Sequence, residues 1–175
     1  MIVEYKVVLI YTVYLFFAFD LLQAKKEVGK SEYNKFDKQQ PVSFSASVLF
    51  ADRGKKITRL QGGVFIKQGL LEIKATQAQL FFDSPDEKLT KIKAQGNVII
   101  IRRAYDGVEE IKLLSKNATY LVFSGKLMLK ENVVLYQVNT KVQADLLTYY
   151  TTKELLQMES VSGSISAGNK AKKQM

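Results

Sequence analysis

Arg53, Lys55, Lys56 and Arg59 cluster around one glycine, and Arg102 and Arg103 are adjacent. Guanidinium and ammonium groups gathered in this way can hold a phosphate or another anion, and a solvated turn is the alternative reading of each cluster. The acids offer less. Asp83, Asp86 and Glu87, and the pair Glu109-Glu110, have neither the spacing of a calcium loop nor that of a paired acid and base, so they read as turn and surface charge. Asn117-Ala118-Thr119 matches a glycosylation sequon and reads as a chance match within a strand. The chain contains no cysteine and no histidine. Thiolate nucleophiles, iron–sulfur clusters, thiolate zinc sites, Ser-His-Asp catalysis and histidine-ligated metals are therefore excluded. No nucleophile, base and oxyanion-donor set is present, so the chain reads as a binding protein without a cofactor rather than an enzyme.

The elements that must position these residues begin after an apolar segment. Val7 to Phe19 is interrupted only by Thr12 and is closed by Asp20. A membrane-spanning helix needs about 20 residues, whereas the apolar centre of an export signal needs roughly 7–15. Residues 1–24 are therefore expected to be a signal peptide, with Leu22-Gln23-Ala24 as the cleavage site; an uncleaved anchor over Val7–Leu22 is the alternative. Either way the rest of the chain is exported. Loss of Lys6, Glu4 and Asp20 with the signal raises the net charge from +9 to +10, which suits an anionic partner such as phosphate-bearing lipid or a cell-surface polymer. Residues 25–40 read as a polar leader, 41–167 as the domain and 168–175 as a Lys-rich tail.

Within the domain, one pattern repeats. Leu60-x-Gly62-x-Val64-x-Ile66 returns as Ala94-x-Gly96-x-Val98-x-Ile100, as Leu129-x-Glu131-x-Val133-x-Leu135, and weakly as Val161-x-Gly163-x-Ile165. Alternation of this kind places each set on one face of a strand, and a glycine at the third position signals a bend or a close backbone approach. A second element follows each of the first three: Ile73-x-Ala75-x-x-Ala78-x-Leu80, Leu113-x-Ser115-x-x-Ala118-x-Tyr120 and Val142-x-Ala144-x-x-Leu147-x-Tyr149. Parity slips by one residue at the same place each time. A plain strand would then swap its faces, so a β-bulge is expected there, and repeated bulges bring a sheet round into a roll.

Turn signals at Gln68-Gly69, Asp83-Ser84-Pro85-Asp86, Asp106-Gly107 and Ser124-Gly125 separate antiparallel neighbours. The expectation is an all-β domain of a dozen or more short strands. Val42 to Phe50 would be its first unit and Leu155 to Ile165 its last. The expected inner face is Leu60, Val64, Ile66, Ile73, Ala78, Leu80, Phe82, Ala94, Val98, Ile100, Leu113, Ala118, Tyr120, Val122, Leu129, Val133, Leu135, Val142, Leu147 and Tyr149. Period alone does not decide whether that stripe is a closed core or a ligand groove.

Four stretches add a resemblance. Gln40-Pro41-Val42-Ser43-Phe44, Leu60-Gln61-Gly62-Gly63-Val64-Phe65-Ile66-Lys67-Gln68-Gly69, Glu72-Ile73-Lys74-Ala75, and the later copies Gly96-Asn97-Val98 and Gln143-Ala144-Asp145 with Tyr149 resemble the OstA-like family of lipopolysaccharide transport, closest to its periplasmic bridge members. The resemblance spans Gln40 to Ile165. The chain departs from the pattern at Thr76, where the family often has Asp, at Gly63, where Asn is usual, and at Glu131, in a glycine position.

The resemblance implies an open, twisted antiparallel β-jellyroll whose interior shields lipopolysaccharide acyl chains. It also implies head-to-tail stacking with itself and with LptC-like inner-membrane and LptD-like outer-membrane proteins, in a bridge across the periplasm. On that reading Ile66, Ile73, Leu80, Val98, Ile100, Tyr120, Leu135 and Tyr149 bind lipid. Val42, Phe44 and Ala46 form one interface, and Met158, Val161 and Ile165 the other. Arg53, Lys55, Lys56, Arg59, Arg102 and Arg103 are headgroup-phosphate candidates. A membrane-anchored LptC-like component and a structural β filament without lipid cargo are the alternatives. Nucleic acid is not an expected partner of an exported chain.

Overall fold

The computed structural model describes residues 40–83, 88–105 and 107–165. The expected export segment, leader and tail lie outside the described residues, as do Asp86, Glu87 and Asp106. Alternating β-branched and aromatic residues run through nearly all of the rest, and the described residues are all-β.

Among the described residues ten strands form a single antiparallel sheet: β1 (Val42–Ser45), β2 (Val48–Asp52), β3 (Ile57–Gln68), β4 (Leu71–Phe82), β5 (Leu89–Arg102), β6 (Ile111–Leu121), β7 (Lys126–Gln137), β8 (Thr140–Tyr150), β9 (Leu155–Glu159) and β10 (Ser162–Ile165). The strand count is lower than expected because β3 to β8 are long, 11 to 14 residues each, and continue through their bends. They make a meander in chain order. β1 and β2 both pair with β3, and β9 and β10 both pair with β8. Each edge is thus one broken strand: the expected first unit Val42 to Phe50 is interrupted at Ala46-Ser47, and the expected last strand at Ser160-Val161. The sheet is open, since neither edge pairs with the other.

The parity slips are bulges, and they lie on one line. Register shifts fall between Gln61 and Val64 in β3, Lys74 and Gln77 in β4, Gln95 and Val98 in β5, Leu114 and Asn117 in β6, and Lys130 and Val133 in β7. β3, β5 and β7 each contribute two consecutive left-handed residues: Gly62-Gly63, Gly96-Asn97 and Glu131-Asn132. This explains the repeated glycine of the sequence pattern, because glycine and asparagine tolerate that region best. Side chains of the neighbouring strands close the bends: Thr76 Oγ1 donates to the Gly96 carbonyl at 3.0 Å, and Ser47 Oγ to the Gly62 carbonyl at 3.0 Å. At Glu131, where glycine is absent, the carboxylate accepts from Asn117 Nδ2 at 2.7 Å.

The bulge line divides β3 to β8 into an upper half, which holds Ile66, Ile73 and Ile100, and a lower half, which holds Leu80, Ile92 and Tyr120; β1 and β10 pair with the upper half, β2 and β9 with the lower. Inward side chains of both halves belong to one buried cluster, so the two halves face each other as two walls of a folded sheet. All of the expected inner-face residues are buried except Phe82, Val122 and Val142, which pack partly buried against the cluster near its rims and edge. Leu71, Ala75, Ile92, Ile111, Leu127 and Ala144 join them. Among the described residues two reversals carry no Gly, Pro or Asp-Gly signal: β7–β8 turns at Val138-Asn139, with Val138 at φ 45° and largely exposed, and β8–β9 turns over Thr151 to Glu154.

Candidate functional site

Register carries the inward side chains into continuous rows across the sheet. In the upper wall one row of partners reads Phe44, Ile66, Ile73, Ile100, Leu113, Leu135, Val142, Gly163. In the lower wall one reads Ala51, Thr58, Leu80, Ile92, Tyr120, Leu127, Tyr149, Leu156. Seven of the eight lipid candidates fall on these two rows, and Val98 sits between the rows, beside the bulge. No sequence-local rule brings Ile66 to Leu135; the unbroken antiparallel ladder does.

The rows run perpendicular to the strands, from one edge of the sheet to the other. The side chains of the two rows bury their methylenes against one another, each worth roughly 0.8 kcal/mol to the folded sheet. In this structure the track is occupied by its own side chains: the eight candidates are at most 5% exposed. At the edges it opens out. Phe44 and Leu49 are half exposed on β1 and β2, and Leu155, Val161 and Ile165 are exposed at the other end. Of the interface candidates, Val42, Ala46 and Met158 pack partly buried on the core, while Phe44, Val161 and Ile165 are exposed.

Polar groups join the walls near the rim. Tyr120 Oη donates to Gln68 Oε1 at 3.0 Å, with both residues buried, and Gln68 Nε2 donates to the Gln40 carbonyl at 3.2 Å. The Tyr105 hydroxyl donates to the Glu154 carboxylate. Burial, then the hydrogen bond and charge of Glu154, push the Tyr105 hydroxyl well above the ordinary tyrosine range, so it stays protonated. The sequence reading took Gln68 only as a turn residue, although its parity with Val64 and Ile66 places it on the inner face. Nothing local marks Tyr105 or Glu154.

The cationic candidates are dispersed rather than gathered. Neighbouring residues on a strand point to opposite faces. Arg102 is accordingly inward and 2% exposed, with its guanidinium 4.5 Å from the centre of the Tyr105 ring. Arg103 is outward: it donates to Glu72 at 2.9 and 3.3 Å and to Glu110 at 3.1 Å. In the β2–β3 turn, Lys55 pairs with Asp52 at 3.4 Å. Arg53 and Lys56 line a cavity of about 210 Å³ with Ala51, Asp52, Ile57, Thr58 and Phe82, while Arg59 is exposed on β3. Among the acids, Glu109 accepts from Gln137 at 3.4 Å, and Asp83 is exposed.

The Arg103 hydrogen bonds hold the Glu72 carboxyl below its usual value of 4.5, against the opposing effect of burial. A depressed folded-state pKa gives stability that is present above the unfolded value and lost as pH falls through the folded one. Urea midpoints of the protein and of Glu72→Gln should therefore differ at pH 7 and converge as the pH is lowered below 4.5. A gap that stayed constant down to pH 3 would separate Glu72 from this titration.

Residues 44–155 match the family profile described as LptA/(LptD N-terminal domain) LPS transport protein. The search among curated proteins gives no match. Among solved structures, the fold matches that of LptH from Pseudomonas aeruginosa, described as the LptA-homologous periplasmic component of the conserved lipopolysaccharide transport device. The TM-score is 0.68 at 14% identity, covering 75% of this chain and 99% of that one.

Proposed function

Because the chain belongs to the LptA/(LptD N-terminal domain) family of LPS transport proteins, a non-enzymatic family, we propose that it carries lipopolysaccharide across the periplasm with the acyl chains held between the two walls. The observation that supports this best is the pair of apolar rows running unbroken from edge to edge. A transporter needs a path rather than a deep pocket, since cargo bound too tightly at one place would stall. Because the lining is closed on itself, uptake requires the walls to part. The hydrocarbon then replaces side chain–side chain contact with side chain–lipid contact, at little cost in exposed apolar area.

The free edges support assembly. Both present unpaired backbone groups and exposed apolar side chains, a combination that is hazardous unless another strand covers it. Counting along the meander, β1/β2 and β9/β10 run in opposite directions, so a second copy can add at the edge as the next antiparallel strand. Such head-to-tail addition does not close on itself and gives a filament, with LptC-like and LptD-like domains as its terminal partners. The inner row ending at Gly163 would then continue into Phe44 of the next copy.

Site-specific photocrosslinking in cells tests the carrier role. A photoreactive residue at Val98 or Leu135 should capture lipopolysaccharide, and one at outward-facing Lys93 should not. Adducts absent from every inward position, or equal at Lys93, would overturn the proposal. Mass spectrometry of the native N-terminus separates a cleaved export signal from an anchored, LptC-like chain: the carrier should begin near Lys25.

A further inference from the structure

The contacts between Gln68 and Tyr120 and between Tyr105 and Glu154 join parts of the sheet that are not neighbours. β3 and β6 are separated by β4 and β5, yet the end of β3 reaches the end of β6 in a 3.0 Å hydrogen bond. The β5–β6 connection likewise reaches the β8–β9 turn. In both cases the upper wall meets the lower wall three strands further on. The two contacts therefore share one stagger and lie along one seam, where the free rims of the walls come together opposite the bulge line.

We infer that this seam is a polar latch across the mouth of the folded sheet, and that its release is the step that admits acyl chains to the interior. Only the identity of what enters rests on the transport reading; the latch itself is argued from geometry. A hydrogen bond suits the task better than an apolar contact would. Closed, Tyr120 and Gln68 satisfy each other in a buried place. Open, both are satisfied by water, so the net cost of release is small. A half-open seam leaves them buried without each other, which is the costly arrangement, so the latch favours two states. Apart from Arg102 at the rim, the walls behind it are mainly apolar and can exchange their contacts for hydrocarbon.

This gives an asymmetric expectation for substitutions. Tyr120→Phe removes the hydrogen bond to the Gln68 amide oxygen from the closed state and costs the open one little, and should favour opening by about tenfold. Adding Gln68→Met replaces both partners of this bond with apolar groups of similar shape, which is nearly neutral, and should restore closure; the Gln40 carbonyl that Gln68 also bonds is at the partly exposed rim, within reach of water. The chain has no cysteine, so a single Val98→Cys reports access to the interior. Its reaction with dithiodipyridine should quicken about tenfold in Tyr120→Phe and fall back in the double variant. Uptake of cis-parinaric acid by the same proteins without the reporter should follow the same order.

A second arm does not depend on those variants folding. Tyr105→Cys with Glu154→Cys, bridged by a reversible bis-methanethiosulfonate, should take up cis-parinaric acid at least tenfold more slowly, and recover on reduction. Thiol reactivity that rises and falls in this pattern while no protein binds the fatty acid supports the latch and overturns the transport reading. Wild-type fatty-acid uptake that is indifferent to Tyr120→Phe and to the bridge overturns the latch and leaves the transport reading standing.

Discussion

Gly96→Ala is expected to destabilise the domain by about 3 kcal/mol, the largest effect of any single methyl group added to the bulge line. Gly96 has φ 76°, where a side chain is strained. A Cβ there would also lie 2.8 Å from Thr76 Oγ1 and 2.9 Å from Thr76 Cβ. Thr76 cannot swing away easily, because it is β-branched and its hydroxyl donates to the Gly96 carbonyl. The substitution therefore combines backbone strain, steric overlap and the loss of a bulge-closing hydrogen bond. Gly62→Ala should behave similarly, since its Cβ would meet Ser47 at 2.9 Å.

Gly63 is the internal comparison. It is also left-handed, at φ 62°, but nothing lies within 4 Å of its added Cβ. Gly63→Ala should cost about 1 kcal/mol, the backbone contribution alone. Thermal and urea unfolding of the three variants measures this directly. Equal losses at Gly63 and Gly96 would mean that the contact with Thr76 is not what fixes the bend.

The second large effect is assembly. Two unbroken rows of register partners flank the bulge line on the outer face. One runs Ser45, Phe65, Lys74, Ile99, Leu114, Val134, Gln143, Ser162, and the other Val48, Gln61, Gln77, Gln95, Asn117, Lys130, Leu146, Glu159. A second copy that continues both rows must place Ser45 opposite Ser162 and Val48 opposite Glu159. The breaks at Ala46-Ser47 and Ser160-Val161 then coincide, so the whole edge pairs in one register without a further bulge. Opposed residues of antiparallel strands have Cα atoms roughly 4.5–5.5 Å apart, within reach of a disulfide.

Ser45→Cys with Ser162→Cys in this cysteine-free chain should therefore oxidise into a covalent ladder of many copies. Either single variant should stop at dimers, and Ser45→Cys with Ser164→Cys should cross-link poorly. Non-reducing electrophoresis reads the outcome. No ladder from the first pair sinks head-to-tail addition at these edges, and an equal ladder from the shifted pair sinks this register while keeping the assembly.

Much of this protein is written locally. Alternation marked which residues face inward, because a strand has a period of two whatever surrounds it. The parity slips marked the bulges, because an extra residue leaves its trace within a few positions. The repeated Gly-x-Val pattern marked the bends in β3 and β5, though not that they are built from left-handed pairs nor that Glu131-Asn132 repeats them without glycine, and the same short motifs carried the family resemblance. The absence of cysteine and histidine removed whole classes of chemistry without reference to the fold. The turns at Val138-Asn139 and over Thr151 to Glu154 were not legible, since neither carries a Gly, a Pro or an Asp-Gly pair and a lone Asn beside Val is a weak signal.

Tertiary structure decided what depends on distant parts of the chain. Whether Arg102 and Arg103 act together is settled by their opposite faces and by Glu72, which lies on another strand. Whether the apolar stripe stands open or closed is settled by the second wall coming down on the first. The stagger that brings Gln68 to Tyr120 and Tyr105 to Glu154 is the sum of small twists over several strands. No residue encodes such a sum, so those partners become visible only once the sheet is folded.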